Sequence, residues 1–192
     1  MALGAQQVVP QAWFAAQHSW PVHTSPGWQQ APPHAHTTAT HPCAVQRASA
    51  DMAAAYGLKF AHLRYFNAAG AAPDEGIGER HNPETHAIPL ALFALLGRRD
   101  GFKIFGEDYD TRDGSCLRDY VHVLDLADAH VRALERLLGG GENIAANLGT
   151  GDGVTVKELL AAIERVTGKA VAAASAPRRD GDSPALLADN AL

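Results

Sequence analysis

A short segment in the second half of the chain combines residue types that could bind an anionic ligand. Arg118 offers a planar fork of N–H donors that suits a phosphate or a carboxylate. Its neighbour Asp119 could hold that fork in place by accepting a hydrogen bond. The mixture of charged, aromatic and apolar residues from 114 to 130 is more varied than core packing requires. The segment therefore predicts a binding site.

The residues that follow Arg118 predict the elements that position it. Residues 120–124 read as a short strand. Asp125 is predicted to be the N-cap of a helix that runs to Leu138, before a triple glycine. A polar turn over Gly149–Gly153 is predicted to lead into the next helix.

The rest of the chain after residue 43 alternates predicted helices and strands. The predicted elements are a helix closed by Gly57, a strand over 58–66, a helix over 88–96, a strand over 102–105, a strand over 143–148, and a helix from the Thr155/Glu158 capping box to Gly168. The strand over 58–66 is apolar enough to be buried on both faces, as central strands of parallel sheets are. This alternation predicts an α/β fold.

The composition changes sharply near residue 50. The first 50 residues contain one formally charged side chain, Arg47, but all three Trp and six of the 11 Pro. Because Pro interrupts helices and strands, residues 1–43 are predicted to be irregular or disordered. His34, His36, His41 and Cys43 are four potential zinc ligands in this tract, but no regular element carries them, and we interpret them as a coincidence of composition.

Overall charge and hydropathy exclude two classes of partner. The net charge of −5 gives no basic face for nucleic acid. No run approaches the ~20 apolar residues of a membrane-spanning helix. We therefore expect a cytoplasmic protein without nucleic-acid or membrane binding. Cys43 and Cys116 are expected to be free thiols.

Five segments, taken in order, carry a family resemblance. They are Arg64–Gly70, Asp108–Gly114, Leu117–Val123, Asn147–Gly151 and Arg178–Asp182. Their residues and spacing resemble UDP-glucose 4-epimerase, of the extended short-chain dehydrogenase/reductase family. The resemblance covers residues 44–192 and corresponds to the C-terminal portion of that family. It implies an incomplete Rossmann-type chain, mainly a substrate-binding region with the last part of the parallel sheet.

The resemblance also implies an activity and several ligand contacts. Family members interconvert UDP-galactose and UDP-glucose in galactose metabolism by NAD-dependent oxidation and reduction at C4, and the intact family includes homodimers. Tyr65 and Phe66 fall where the strand end passes the nicotinamide and the sugar. Asn67 falls where a side chain contacts the substrate diphosphate.

The remaining implied contacts concern the UDP moiety. Arg118 and Arg179 resemble the pair that grips the two phosphates, and Asp182 resembles the acceptor for the ribose hydroxyls. Phe105 resembles a wall of the uracil pocket. From the residues alone, Phe105 could instead be a core residue, and the two arginines could form ordinary surface salt bridges.

Three further positions follow from the same resemblance. His86 and Ala87 occupy the place of main-chain contacts to uracil. Leu186 occupies the place where side-chain bulk controls the size of the sugar substituent.

Two family features are missing from the printed sequence. In register with residues 44–47, the Tyr and Lys of the catalytic Tyr-x-x-x-Lys motif fall on Thr38 and Pro42, which can supply neither a base nor a charge. The Gly149–Gly153 turn is not a dinucleotide-binding fingerprint. We therefore expect that the chain alone binds no NAD and is inactive. The alternatives are a non-catalytic UDP-sugar-binding module and an inert product of a truncated gene model.

Overall fold

The computed structural model describes residues 44–190. In chain order the elements are α1 (Ala44–Tyr56), β1 (Ala61–Tyr65), β2 (Asn67–Ala69), a 3-10 helix (Pro73–Glu75), α2 (Ala87–Leu95), β3 (Phe102–Phe105), β4 (Leu117–Arg118), β5 (Tyr120–His122), α3 (Val123–Leu138), β6 (Ile144–Leu148), β7 (Val154–Thr155), α4 (Val156–Thr167), β8 (Ala173–Ala176) and β9 (Ala185–Leu186). The predictions for residues 1–43, including the four candidate zinc ligands, lie outside the described residues.

The described chain forms two compact units. The first unit comprises Ala69–Arg118 and Val154–Ala185. The second unit comprises residues 44–68, 119–153 and 186–190.

A pair of parallel strands organises the second unit. β1 pairs with β6 in parallel, from Ala61 opposite Ile144 to Tyr65 opposite Leu148. Helix α3 packs on β1. The expectation that β1 is buried on both faces is wrong, since its residues are only half-buried and Tyr65 is 48% exposed. Among residues 44–190, β6 is its only partner strand and α3 is the main helix packed on it, so one edge and much of the other face stay uncovered.

The start of α3 differs from the prediction. The strand ends at His122 instead of residue 124, and His122, not Asp125, is the N-cap. The His122 ring Nδ1 accepts a hydrogen bond from the Leu124 N–H at 3.2 Å. An imidazole acceptor satisfies a free N–H of the first turn as a carboxylate would. Asp125 lies in the first turn instead, and the helix ends at Leu138 as predicted.

The first unit is built around a second parallel pair. β3 pairs with β8, from Phe102 opposite Ala173 to Phe105 opposite Ala176. The predicted strand over 102–105 is confirmed, whereas the sequence analysis did not predict β8. Helix α2 packs against α4 and β3. Ala91 and Ile163, which are fully buried, belong to the core of this unit.

The predicted capping box at the start of α4 is confirmed and extended. The Glu158 N–H donates to the Thr155 hydroxyl at 3.1 Å, and the Thr155 N–H donates to the Glu158 carboxylate at 2.9 Å. The Thr155 hydroxyl donates in turn to Asp113, which also accepts bonds from the Ser115 N–H and hydroxyl. Burial raises the pKa of Asp113, but these donors outweigh burial and hold the pKa below its usual value. The network fixes α4 to the loop that leads into Arg118.

Parallel strand pairs with packed helices confirm the mixed α/β fold class. Gly57 and Gly168 end α1 and α4 in the left-handed conformation, as predicted. Among residues 44–190, no helix is both long and apolar enough to cross a membrane.

Candidate functional site

The Arg118 guanidinium is held in a defined direction at the end of β4. Its Nη1 donates to the carbonyl oxygens of Leu117 and Ser183, at 2.8 and 2.9 Å. Its Nη2 lies 3.7 Å from the Asp182 carboxylate, and the Arg118 side chain is only 14% exposed. Arg118 is therefore a positioned, half-buried positive charge.

Asp182 brings a second arginine to the same place. The Arg179 Nε donates to Asp182 Oδ2 at 2.8 Å. Asp182, at 19% side-chain exposure, thus stands between the guanidinium groups of Arg118 and Arg179. One carboxylate and two guanidinium groups leave one net positive charge, which favours an anion.

Arg179 keeps the end of its guanidinium available for a ligand. The group lies over the Phe105 ring, with its central carbon 4.7 Å from the ring centroid. Within the described residues only its Nε has a hydrogen-bond partner, and the side chain is 58% exposed. Stacking on one face and the bond to Asp182 orient the two free NH₂ groups. We call Phe105, Arg118, Arg179 and Asp182 the arginine cluster.

The preceding arginine provides an internal comparison. Arg178 lies over Tyr109 at 4.2 Å, and its Nε and Nη2 donate to the Asp108 carboxylate and carbonyl at 2.7 and 2.6 Å. These bonds raise the pKa of Arg178 and, chiefly through the side-chain hydrogen bond, lower that of Asp108. Within the described residues Arg178 therefore uses Nε and Nη2 for Asp108 and leaves only Nη1 free, whereas Arg179 leaves both terminal NH₂ groups free.

An open cleft of about 470 Å³ also lies in the first unit, lined by residues 106–108 and 175–178. Its lining includes Arg178 but no member of the arginine cluster. Its volume alone does not favour it over the cluster, because, among the described residues, Arg178 is its one cationic lining residue and already uses two guanidinium nitrogens to bond Asp108.

The proposal from sequence that Asp119 holds the Arg118 fork is wrong. Asp119 is fully buried, and its carboxylate accepts bonds from the N–H groups of Thr150, Gly151 and Ala188 and from the Thr150 hydroxyl. Through these four hydrogen bonds, the Asp119 carboxylate connects the 149–153 turn to residue 188 in the second unit. A Cβ at Gly149 would collide with both Asp119 and Ala188, so this turn requires glycine.

Three predicted site residues lie together in the second unit. Asn67 is fixed by Asp119, since its side-chain Nδ2 and its backbone N–H both donate to the Asp119 carbonyl, at 2.8 and 3.1 Å. Tyr65 is exposed, with its ring centroid 6.1 Å from that of His130 in an edge-on arrangement. Phe66, which lies between Tyr65 and Asn67 in the sequence, is half-buried. The strand end thus presents one aromatic ring and one oriented amide.

The remaining predicted residues occupy two other places. His86 precedes α2, where its N–H donates to Glu84 at 2.8 Å and its carbonyl accepts from Leu90. Ala87 is the first residue of α2. Leu186 is half-buried in β9, and its carbonyl accepts a bond from the Asp119 N–H at 3.0 Å. Of the predicted site residues, the structure thus brings Phe105, Arg118, Arg179 and Asp182 together as one cluster. His86, Ala87 and Leu186 are not part of it.

Comparison with known proteins gives the family. The sequence model of the "NAD dependent epimerase/dehydratase family" matches residues 32–149, more than half of the chain. The chain belongs to this family. The match begins inside the tract that the sequence analysis set apart, so the boundary at residue 43 stays a prediction.

Individual members of the family agree with this result. The chain is 66% identical over 134 residues to UDP-glucose 4-epimerase of Rhizobium meliloti (strain 1021), covering 70% of this chain and 41% of that protein. A crystal structure of UDP-glucose 4-epimerase from Brucella ovis in complex with NAD has 53% identity and a TM-score of 0.71, over 76% of this chain and 45% of that one. An epimerase structure from Stenotrophomonas maltophila, with bound NAD and formylated UDP-arabinopyranose, has 42% identity and a TM-score of 0.72, over 76% and 44%.

The resemblance to UDP-glucose 4-epimerase that the sequence indicates is thereby confirmed. The match to these relatives also confirms the Rossmann-type α/β fold class of this chain. The chain matches the C-terminal part of these epimerases and spans less than half of the length of the relatives it matches.

NAD, the cofactor of the family, does not fit the described residues by themselves. The N–H groups of Thr150 and Gly151, in the one glycine-rich turn considered for it, already donate to Asp119 and cannot bind a pyrophosphate. Tyr65 and Phe66 offer two rings and one phenol hydroxyl, which cannot by themselves hold a dinucleotide.

Proposed function

We propose that this chain provides the UDP-sugar-binding region of a UDP-glucose 4-epimerase, the enzyme that interconverts UDP-galactose and UDP-glucose in galactose metabolism. The observation that carries the proposal is the convergence of Arg118 and Arg179 on Asp182, with Arg179 stacked over the Phe105 ring. The 66% identity over 134 residues to a UDP-glucose 4-epimerase supports the choice of ligand.

Each member of the arginine cluster has a role in this proposal. Arg118, whose direction is fixed, and Arg179, with two free NH₂ groups, bind the diphosphate. Asp182 accepts from the ribose hydroxyls through lone pairs that the arginines leave free, and it pairs with both arginines. The Phe105 ring forms one wall for uracil.

The family resemblance assigns further contacts to residues outside the cluster. Asn67 contacts the diphosphate, Tyr65 and Phe66 border the nicotinamide and the sugar, and Leu186 limits the size of the sugar substituent. Main-chain contact to uracil comes from Ala87 and from the second lone pair of the His86 carbonyl, because the His86 N–H is bonded to Glu84. In this proposal the complete protein is cytoplasmic and forms a homodimer.

We expect the 192-residue chain to be inactive by itself. Incubated with NAD and UDP-galactose, the 192-residue chain makes no UDP-glucose above background, because Thr38 and Pro42 replace the catalytic Tyr and Lys. A joined protein, in which an NAD-binding half of a family member precedes Ala44 and a family C-terminal end follows Leu192, makes UDP-glucose. A coupled assay for UDP-glucose measures both.

The same assay separates the alternatives. Turnover by the 192-residue chain alone would contradict the proposal, since a base and a cofactor site would then exist elsewhere. If the joined protein folds and binds UDP but has no activity, the chain is a non-catalytic UDP-sugar-binding module. If it folds and binds neither UDP nor UDP-galactose, the proposed ligand is wrong.

A further inference from the structure

A cluster of metal-ligating side chains lies just before α2, apart from the arginine cluster. One ring nitrogen each from His81 and His86 and one carboxylate oxygen of Glu84 lie within 4.8 Å of one another. The two imidazole rings lie side by side, with centroids 5.0 Å apart. None of these side chains has a role in the proposed UDP-sugar site, which uses only the main chain of His86.

The charges around His86 favour a cation. Its Nδ1 lies 3.0 Å from a carboxylate oxygen of Glu84 and 3.0 Å from one of Glu79. Within residues 44–190 neither glutamate pairs with a lysine or an arginine, so two negative charges face one imidazole nitrogen. A single ring proton can bond to only one of these oxygens well, and a divalent cation would neutralise both charges.

Backbone hydrogen bonds already hold the Glu84 carboxylate in one position, as is common for a metal ligand. Its Oε1 accepts bonds from the backbone N–H groups of Thr85 and His86, both at 2.8 Å, and its side chain is only 11% exposed. Metal ligands are commonly oriented by such secondary hydrogen bonds. His81 and His86, by contrast, are exposed and can adjust their ring positions.

The donor set and spacing indicate zinc. Two imidazole nitrogens and one carboxylate oxygen are a ligand set that Zn²⁺ accepts, at bond lengths of about 2.0–2.2 Å. Ligands on one tetrahedral ion at these lengths stand roughly 3.4 Å apart. The observed spread within 4.8 Å requires ring movements on the order of 1 Å to close on an ion. We propose that His81, Glu84 and His86 form a zinc-binding site on the loop before α2.

The experiment uses the full chain with the four candidate zinc ligands of its N-terminal tract removed. The background variant carries His34→Ala, His36→Ala, His41→Ala and Cys43→Ser, so that the N-terminal tract cannot supply the zinc ligands considered there. Titration calorimetry with ZnCl₂ is expected to show one Zn²⁺ per chain in this background. His81→Ala or His86→Ala is expected to weaken binding by about a hundredfold or more, beyond the 10–100-fold cost of losing a supporting partner.

A matched control and a second measurement keep the result interpretable. His130→Ala removes a histidine that lies outside the cluster and whose Nδ1 is 2.7 Å from the Leu126 carbonyl, so zinc binding should be unchanged. X-ray absorption of zinc bound to the background variant should show nitrogen and oxygen neighbours at about 2.0–2.2 Å and no sulfur. Equal zinc binding with and without His81 and His86, no zinc binding by the folded background variant, or sulfur neighbours would overturn the proposal.

Discussion

Replacing Arg179 with alanine lowers kcat/KM for UDP-galactose by roughly tenfold to a few hundredfold in the joined protein. The change removes charge-assisted hydrogen bonds to the diphosphate, which contribute about 1.5–3 kcal/mol. The effect is large because the two terminal NH₂ groups of Arg179 have no partner within the described residues and are therefore available to the ligand. Steady-state kinetics of the purified variant measure the change.

A lysine at the same position tests the geometry of the contact. Arg179→Lys restores only part of the lost kcat/KM, because an ammonium group is a point charge and cannot reproduce the planar fork. Full recovery with lysine would mean that Arg179 acts through net charge alone. An unchanged kcat/KM in Arg179→Ala would remove Arg179 from the site.

Replacing Asp119 with asparagine lowers the free energy of unfolding by about 2–4 kcal/mol. The buried carboxylate accepts from three N–H groups and one hydroxyl. An asparagine keeps one oxygen but turns an NH₂ group towards some of these donors, and each unsatisfied buried donor costs about 1–3 kcal/mol. Urea denaturation followed by circular dichroism measures the difference.

The control for this change lies in the same turn. Asp152 is exposed in the turn that Asp119 holds. Asp152→Asn removes the same charge and should change the free energy of unfolding by no more than about 0.5 kcal/mol. Equal effects of the two substitutions would show that the charge, and not the buried network, is responsible.

Local signals account for the parts of the fold that the sequence predicted well. The Thr155/Glu158 capping box and the glycines that end α1 and α4 act within a few residues, so the pattern contains the whole interaction. The start of α3 was placed wrongly because a histidine replaced the expected carboxylate cap. β8 was missed because an alanine-rich strand lacks the alternation that marks a half-buried strand.

The site shows the same division between local and distant contacts. Nothing near Asp119 in the chain reveals that its carboxylate binds residues 31, 32 and 69 positions away. Its neighbour Arg118 invited the simpler pairing, whereas the structure pairs Arg118 with Asp182, 64 positions further along the chain. The family resemblance, and not periodicity or composition, singled out both Arg179 and Asp182 before the structure brought them together.

The affinity of the joined protein for UDP, compared between two adjacent arginine variants, tests the central claim most directly. Arg178 and Arg179 each stack on one aromatic ring and each pair with one aspartate, but within the described residues Arg179 leaves both terminal NH₂ groups free, whereas Arg178 leaves only Nη1 free. Titration calorimetry should show that Arg179→Ala weakens UDP binding at least about tenfold, whereas Arg178→Ala changes it less than about twofold. The opposite pattern, with Arg178→Ala abolishing UDP binding and Arg179→Ala leaving it intact, would move the ligand to the open cleft and contradict the assignment of the arginine cluster.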